Sequence, residues 1–405
     1  MINVAVMGYG TVGSGVVEVF YENRESIQHR AGQEMDIKYI LDLRDFPDSP
    51  YKDKFTKNFD DIINDDEVEI VVEVMGGVKF AYDYVKRCLE KGKSVATSNK
   101  ELVAEKGAEL IKIALEHNVN FLFEASVGGG IPILRPITQC LAANEMTEIY
   151  GILNGTTNYI LTEMINKSVK FEDALKNAQD LGYAERNPAA DIEGADACRK
   201  ICILAALAFG KHVYPKQVYT EGITKITLPD VNYAKSKGYA IKLIGKAQRV
   251  SGQDKVFISV YPALVRAKSQ IGNVEGVYNA VMVRGNAIGD VVFYGQGAGK
   301  LPTASAVVAD VIDCAKHLDT RKLICWDDGS EDYVLDHKLD STSMYVRAKV
   351  CCKDSVNTAF GDVDFIAEEN GEIAFIVPKM KETEFDAKAA DFGGEILSKI
   401  HVLDI

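Results

Sequence analysis

No apolar run in this sequence of 405 residues is long enough to span a membrane, and neither half contains a basic cluster. A membrane-spanning helix needs about 20 consecutive apolar residues, whereas nucleic acids and anionic membranes bind basic surfaces. The net charge of −13 has the opposite sign. These absences argue against a membrane protein and against nucleic acid as a partner. The opening residues, MINVAVMGYG, are interpreted as a strand and not as a signal peptide.

The sequence also lacks the cysteine and histidine patterns of several kinds of site. Its eight cysteines form no zinc-like pair of CxxC motifs, and four of them have the apolar neighbours of buried thiols, so a reducing, cytoplasmic setting is expected. None of the six histidines lies in a crevice motif, which argues against a hydroxy-acid dehydrogenase with a histidine acid. No cysteine stands at the polar end of a strand, where an acylating semialdehyde dehydrogenase would need its thiolate. The composition, 47% apolar and 26% charged, indicates a globular chain of two or three domains.

What the sequence does contain is a glycine-rich turn directly after its first apolar run. Residues 2–7 read INVAVM, residues 8–13 read GYGTVG, and a helix-like segment follows. GxGxxG between a strand and a helix predicts a dinucleotide site, because the turn and the helix N-terminus can bind a pyrophosphate. A glycine turn that binds nothing is the alternative. The expected cofactor contacts are Gly8, Gly10, Thr11, Val12 and Gly13.

The strand ends that follow are expected to line the same crevice. A second strand leads to Asp42, which could accept from a ribose 2′-hydroxyl of NAD, and to Arg44, which could pair with the 2′-phosphate of NADP. The sequence does not choose between the two cofactors. Two later strands, EIVVEVMGG and SVATSNK, end in small polar residues and add Gly76, Thr97, Ser98 and Lys100 to the crevice.

Two polar segments come after the nucleotide-binding region. The first, NFLFEASVGGGIPIL, combines Glu124 with a glycine loop whose carbonyls could hold a hard cation, although a hinge between domains is an equal interpretation. The second, NGTTN at residues 154–158, suits the orientation of a small substrate or a nicotinamide, and suits an ordinary turn and helix cap as well. The sequence alone does not decide between the two interpretations of either segment.

The stretch GYAERNPAADIEGADACRK is rich in charge and leads into the apolar run ICILAALAF. Asp191 is the expected N-cap of a helix that begins at Ile192, which puts Asp196 and Lys200 four residues apart on one face. A surface ion pair worth about 0.3–0.5 kcal/mol is the ordinary interpretation. Gly194 favours a crowded site instead, because a glycine in the first turn of a helix costs about 1 kcal/mol against alanine.

These ordered blocks resemble those of the homoserine dehydrogenase family. The signature of that family is matched by AQDLGYAE and then by Asn187-Pro188, Asp191, Gly194, Asp196 and Lys200. Its other blocks are matched in order by GYGTVGSGV, TSNKELVA, EASVGGGIPI, GILNGTTNYIL, TEGI and GQGAGKLPTASAVVADVI. The resemblance covers about the first 320 of the 405 residues. Ser98 departs from the alanine that is usual in the family.

The resemblance implies that L-aspartate 4-semialdehyde is reduced reversibly to L-homoserine with NADPH or NADH, in the biosynthesis of threonine and methionine. It implies that Lys200 donates a proton to the nascent alkoxide and that Asp196 binds substrate and holds this lysine. Lys100 would share in proton or carboxylate handling, and Glu185, helped by Asp191, would bind the substrate amino group. The other implied contacts are Gly155 and Thr156 for the substrate, Gly182 and Gly299 for the cofactor, and Glu124, Val127, Gly129 and Ile131 for a sodium-type cation.

The expected fold class is α/β. Residues 1–135 are predicted to form a Rossmann-type nucleotide-binding domain, to which the amphipathic helix 303–318 returns. Residues 136–302 are predicted to form an α+β catalytic and dimerisation domain with an open sheet and a helix near residues 239–250. Because sheet faces in such domains commonly pair across a two-fold axis, a homodimer or a dimer of dimers is expected.

A polar linker at residues 319–343 is predicted to lead to a small C-terminal domain at 344–405, called the tail below. The tail is predicted to have the order β-α-β-β-α-β, beginning with a strand from Met344 to Cys351. That order resembles a ferredoxin-like ACT regulatory domain, although CKDSVNTAF replaces the DxPGVL-like turn of that family. The hypothesis is that the tail binds, or once bound, a feedback amino acid such as threonine. A purely structural or dimer-extending tail is the alternative.

Overall fold

A computed structural model of the chain describes residues 1–324, 326–349, 353–369 and 371–405. Three of the eight cysteines, Cys325, Cys351 and Cys352, lie outside these residues, and so does the predicted end of the first strand of the tail. The chain divides into two units. Unit 1 comprises Met1–Ala143, Cys202–Pro215 and Gly295–Gly329, and unit 2 comprises Asn144–Ile201, Lys216–Tyr294 and Ser330–Ile405.

The described residues contain sixteen strands. In chain order they are β1 Ile2–Met7, β2 Met35–Leu41, β3 Phe55–Thr56, β4 Val68–Glu73, β5 Ser94–Thr97, β6 Phe121–Leu122, β7 Met146–Ile152, β8 Tyr219–Thr220, β9 Tyr239–Arg249, β10 Val256–Arg266, β11 Tyr278–Gly285, β12 Gly289–Gln296, β13 Ser341–Lys349, β14 Asp364–Glu369, β15 Glu372–Lys381 and β16 Glu395–Val402.

The same part of the chain contains thirteen α-helices, and none of them is long and apolar enough to cross a membrane. In chain order they are α1 Thr11–Glu22, α2 Arg24–Ala31, α3 Asp60–Ile63, α4 Lys79–Glu90, α5 Lys100–Glu116, α6 Gly155–Lys167, α7 Phe171–Asp180, α8 Ala189–Ile192, α9 Ala195–Phe209, α10 Leu228–Ser236, α11 Lys300–Lys316, α12 Lys353–Phe360 and α13 Glu382–Asp391. Short helical turns lie at Lys52–Lys54, Glu124–Ser126, Pro136–Cys140, Pro215–Gln217 and His337–Leu339.

Unit 1 contains a parallel sheet with the strand order β3-β2-β1-β4-β5-β6. Its central strands β1 and β4 are almost wholly buried because helices cover both faces of such a sheet. The order reverses between β1 and β4, and ligands of α/β sheets bind at that point. Helix α11 belongs to this unit, where Val307 and Val311 share a core with Val16 and Phe20 of α1. The predicted Rossmann-type sheet is therefore confirmed.

Unit 2 contains a mixed sheet with the order β12-β11-β7-β9-β10-β16-β13-β15-β14, and β8 also pairs with β10. The helix predicted near residues 239–250 is wrong, because this segment is the long strand β9. Nearly every residue of β9 is buried, so its two faces show no alternation of polar and apolar residues. Lys242 and Lys246 both lie in it, and their spacing is as compatible with one face of a strand as with one face of a helix.

The tail folds as β13-α12-β14-β15-α13-β16, which is the predicted order of elements. Its strands continue the sheet of unit 2, because β16 pairs in parallel with β10 through His401 opposite Ala263 and Val402 opposite Leu264. The predicted linker at 319–343 is divided between the two units, and β13 begins inside it at Ser341. The tail therefore shares hydrogen bonds with the central sheet and is not an appended separate domain.

A buried ion pair joins the tail to helix α10. Arg347 Nε donates to Asp230 Oδ1 at 2.8 Å, and the hydroxyl of Tyr345 donates to the same oxygen at 3.2 Å. Two further guanidinium nitrogens donate to Glu372 at 2.9 Å and to Thr227 Oγ1 at 3.1 Å. Because Asp230 is fully buried, its ion pair with this arginine is shielded from water.

Arg347→Met is expected to lower the free energy of unfolding by about 3–5 kcal/mol, because it leaves the carboxylate of Asp230 buried without a cation. Urea unfolding followed by circular dichroism measures the loss. Lys237→Met is the matched control, since it removes an exposed ion pair between the residue that follows α10 and the tail, at 2.8 Å to Asp364, and should cost at most about 1 kcal/mol. Equal losses in the two variants would contradict the assigned role of the buried pair.

Candidate active site

The glycine-rich turn of unit 1 joins β1 to α1. Gly8 has a φ of +103°, which favours glycine. A Cβ on Gly13 would lie 1.9 Å from the carbonyl oxygen of Gly8, so only glycine permits this approach of helix and turn. A Cβ on Gly10 would meet no described atom within 4 Å. The first turn of α1, with the N–H groups of Thr11 and Val12, is therefore approachable by phosphate oxygens.

Asp42 and Arg44, which the sequence assigns to alternative cofactors, are paired with each other beside this turn. Arg44 donates to the two carboxylate oxygens at 2.9 and 2.8 Å, and the N–H of Tyr9 donates to Oδ2 at 2.9 Å. The hydrogen bonds from Arg44 hold the pKa of Asp42 well below its usual range. The Asp42 side chain is 11% exposed and that of Arg44 is 63% exposed, so the guanidinium is the more accessible of the two groups.

Glu73, which the sequence reasoning missed, organises the ends of β4 and β5. Its buried carboxylate accepts from Met75 N at 2.8 Å, Gly76 N at 3.3 Å and Thr97 Oγ1 at 2.6 Å. Burial raises the pKa of this carboxyl, against the lowering effect of those hydrogen bonds. The glutamate therefore brings together two predicted crevice residues, with Ser98 next in the chain and Lys100 at the start of α5. The sequence signal that could have identified Glu73 is an acidic residue at the end of the apolar strand EIVVEV.

The predicted cation loop is built around the carboxylate of Glu124. Its Oε1 accepts from Ile133 N at 2.7 Å and Leu134 N at 2.9 Å, and its Oε2 accepts from Arg135 N at 2.8 Å. Gly128 and Gly129 have φ values of +75° and +51°, which turn the loop at the position of Val127, Gly129 and Ile131. No group of three or more acidic, histidine or cysteine side chains within the described ranges could hold a metal ion. A cation here would need backbone carbonyls as its main ligands.

Asp310 lies beside this loop and was not singled out from the sequence. It forms an ion pair with Arg135, and its Oδ2 accepts from Glu124 N at 2.8 Å. Burial raises the pKa of Asp310 to about 7, although Arg135 opposes the increase. The aspartate fixes the end of the loop that carries Glu124.

Unit 2 contains a cluster of two carboxylates, one amide and one ammonium, of which only the carboxylate of Asp191 is half-buried and the other three groups are buried. Asn154 Nδ2 donates to Asp191 Oδ1 at 2.7 Å and to Asp196 Oδ2 at 2.8 Å. Lys200 Nζ donates to the same oxygen of Asp196 at 2.8 Å and to Leu153 O at 2.7 Å. Because the side chains of Lys200 and Asp196 are only 10% and 9% exposed, they do not form a surface ion pair.

The helix start in this region differs from the prediction. Asp191 is not an N-cap, because it lies within the short helix α8, and α9 begins at Ala195 instead of Ile192. Gly194 separates the two helices with a φ of +85°. A Cβ on Gly194 would lie 3.0 Å from Thr220, so crowding and backbone conformation both select glycine here. The break lets side chains from two helices reach the amide of Asn154.

The remaining predicted substrate and cofactor residues differ in their exposure and in their contacts. Thr156 Oγ1 donates to Tyr183 O at 2.6 Å, which ties the start of α6 to the loop after α7. Glu185 lies in that loop and is exposed, and its backbone carbonyl accepts from Gln179. Gly182 is also exposed, with a φ of +76°. Gly299 belongs to unit 1, where it precedes α11.

The dinucleotide-type turn in one unit and the buried lysine–aspartate cluster in the other define a dinucleotide-dependent oxidoreductase. Comparison with known families specifies which one. The model of the homoserine dehydrogenase NAD-binding domain matches residues 8–124, and that of homoserine dehydrogenase matches residues 132–312. The chain belongs to the homoserine dehydrogenase family.

Individual relatives agree with this assignment. Homoserine dehydrogenase of Bacillus subtilis is 42% identical over 322 residues, covering 78% of this chain and 73% of that protein, and the enzyme of Neisseria gonorrhoeae is 44% identical over 322 residues, covering 78% and 72%. The crystal structure of a homoserine dehydrogenase from Thiobacillus denitrificans is similar with a TM-score of 0.88 and 35% identity, covering 100% of this chain and 98% of that one. A hyperthermophilic archaeal homoserine dehydrogenase in complex with NADPH has a TM-score of 0.65 and 28% identity, covering 77% and 97%.

The chain is therefore an NAD(P)-dependent enzyme that interconverts L-homoserine and L-aspartate 4-semialdehyde. This reaction serves the biosynthesis of threonine and methionine. The two classes of dehydrogenase that the histidine and cysteine patterns exclude are not supported by any of these relatives.

Proposed function

We propose that Lys200 donates the proton that the aldehyde oxygen needs during reduction and accepts it again during oxidation. The observation that carries the proposal is the buried ammonium, which donates to Asp196 Oδ2 at 2.8 Å and Leu153 O at 2.7 Å. An ammonium has three N–H donors, so its contacts with these two acceptors leave capacity for one substrate oxygen. The bound nicotinamide supplies or accepts the hydride. Negative charge then develops on the oxygen that the cation and its proton stabilise.

The carboxylates of the cluster are proposed to orient both the lysine and the substrate. Asp196 holds Lys200, and Asp191 shares the Asn154 amide with Asp196, so two negative charges lie close together. Such a region attracts the substrate ammonium, which Glu185 would contact with the help of Asp191. The backbone of Gly155 and the hydroxyl of Thr156 are proposed as further substrate contacts. Lys100, at the start of α5 in unit 1, is proposed to assist in proton or carboxylate handling.

NADP is proposed as the preferred cofactor. Both carboxylate oxygens of Asp42 already accept hydrogen bonds, from Tyr9 and Arg44, so a ribose hydroxyl would have to displace one of these donors. The guanidinium of Arg44 is exposed and bears the charge that a 2′-phosphate requires. The other proposed cofactor contacts are Gly8, Gly10, Thr11, Val12, Gly13, Gly76, Thr97, Ser98, Gly182 and Gly299.

A sodium-type cation is proposed to bind in the loop of Glu124, Val127, Gly129 and Ile131. Three backbone N–H groups already donate to the carboxylate of Glu124, so carbonyl oxygens are the better ligands and the carboxylate shapes the loop. Replacing sodium by a large organic cation at constant ionic strength should lower activity. Unchanged activity would exclude the site.

The tail is proposed to be an ACT-like module, supported by its order of elements. Threonine is the proposed effector, and a flat activity curve against threonine concentration would discard it. Deletion of the tail is a poor test, because it removes β16 from β10 and Arg347 from Asp230.

A homodimer is proposed from the open sheet, and a measurement of molar mass in solution tests this proposal. A reducing, cytoplasmic setting is proposed from buried thiols such as Cys88 and Cys314, which thiol titration tests.

Lys200→Met is expected to lower kcat by about 10²- to 10⁴-fold, because it removes the proton donor while keeping the length of the side chain. Absorbance of the reduced nicotinamide on addition of L-homoserine measures turnover. NADPH binding, followed by fluorescence, should stay within about twofold of the unaltered protein. Lys176→Met, at an exposed position of α7, is the control and should leave turnover unchanged. Turnover that survives in Lys200→Met would refute the assigned role.

Arg44→Ala is expected to lower kcat/KM with NADP by about tenfold or more and to leave that with NAD nearly unchanged, because only NADP carries a phosphate for the guanidinium. Initial rates with each cofactor at saturating L-homoserine give the ratio. Arg30→Ala, at an exposed position of α2, provides the control for a lost positive charge. An equal loss of kcat/KM with both cofactors would show that Arg44 does not bind the 2′-phosphate.

A further inference from the structure

Lys242 places an ammonium inside the sheet of unit 2. It lies in β9 and is only 1% exposed. Its Nζ donates to Asn158 Oδ1 at 3.1 Å and to Val274 O at 2.5 Å. Burying an ammonium costs several kcal/mol unless its contacts offset the lost hydration. A charged residue at this position therefore requires an explanation beyond the packing of the core.

The contact with Lys242 determines which way the amide of Asn158 faces. Lysine can only donate, so its partner on Asn158 is the amide oxygen, and the amide nitrogen is left to face the backbone carbonyls of segment 274–278. There Nδ2 is within hydrogen-bond distance of three carbonyl oxygens, those of Val274 at 3.2 Å, Gly276 at 3.0 Å and Tyr278 at 3.1 Å. One buried amide thus holds the whole segment 274–278, which precedes and begins β11.

Segment 274–278 in turn determines where helix α6 begins. A Cβ on Gly155 would lie 2.7 Å from the carbonyl oxygen of Val277, so the two backbones are in direct contact. Thr162, one turn along α6 from Asn158, adds a second connection, because its Oγ1 accepts from Gly276 N at 3.1 Å and donates to Asn158 O at 2.7 Å. A shift of this segment would displace Gly155 and Thr156 together.

We propose that Lys242 is a positioning residue for the reaction. Lys242 fixes the amide of Asn158, and this amide holds segment 274–278 against Gly155. The position of the backbone at Gly155 and Thr156, which are proposed to contact the substrate, therefore depends on Lys242. This inference rests on the proposed function, which assigns Gly155 and Thr156 to the substrate. Lys242 itself contacts neither substrate nor cofactor.

Lys242→Met keeps the length and apolar stem of the side chain but removes its N–H donors. KM for L-homoserine is expected to rise about tenfold with kcat within about threefold, because contacts made equally in the ground and transition states are weakened. Hydrogen exchange of segments 153–160 and 274–280 should become faster. Binding of NADPH, whose proposed phosphate-binding turn lies in unit 1, should not change.

Three further variants separate positioning from a general loss of stability. Lys242→Arg keeps the donors, and the adjoining cavity of about 200 Å³ gives room for it, so KM should return towards the original value. Lys235→Met removes another amine of the same cavity, which donates to Ile165 O at 3.0 Å, and should leave KM unchanged. Asn158→Asp keeps an acceptor for Lys242 but removes the Nδ2 donors, so it should raise KM as Lys242→Met does, and it replaces that variant if Lys242→Met fails to fold.

Hydrogen exchange and KM together show which step of the inference fails if the proposal is wrong. Unchanged exchange in segments 153–160 and 274–280 would overturn the claim that Lys242 holds them. Faster exchange with an unchanged KM would overturn the role of Lys242 in the reaction, and would locate the error in the assignment of Gly155 and Thr156 to the substrate. A tenfold fall in kcat at constant KM would also contradict the proposal, since it would indicate a contact specific to the transition state.

Discussion

The buried bond between Lys200 and Asp196 is the interaction on which the polar cluster of unit 2 depends. An exposed pair with this spacing contributes about 0.3–0.5 kcal/mol, whereas a buried pair must first offset the lost hydration of both charges. Here the offset comes from neighbours that are neutral, the amide of Asn154 and the carbonyl of Leu153. Stability alone would favour apolar residues at these positions, and the chemistry proposed for Lys200 and Asp196 would explain why the charges are retained.

The continuity of the large sheet couples the tail to the rest of unit 2. Strand β16 is bonded to β10 on one side and to β13 on the other, and Arg347 adds an ionic connection to α10. A ligand that moved the tail would have to move strands that reach into the same sheet as β7, β9 and β11. Regulation through the tail therefore needs no separate linker, because the two parts have one hydrogen-bonded framework.

The features that sequence reasoning predicted are those with a local cause. The turn of Gly8 and Gly13 follows from backbone sterics within six residues, and the order of elements in the tail follows from separate, well-delimited periodic segments. The errors arose where the cause was distant or ambiguous. Strand β9 is buried on both faces and so shows no alternation, and the break at Gly194 depends on crowding by Thr220, which lies far along the chain.

Buried charges bonded to the backbone explain what the sequence could not reveal about the site. Glu73 accepts from the N–H groups of its own loop, Glu124 accepts from three consecutive N–H groups, and Lys242 donates to a carbonyl. Backbone groups are the same in every residue, so such a bond leaves no partner that a sequence pattern could identify. Each of these side chains fixes a loop that would otherwise have several conformations, and each does so beside a residue assigned to cofactor, cation or substrate. Isolated charges within apolar strands or shortly after them are therefore the sequence signal by which such loop-fixing residues can be found.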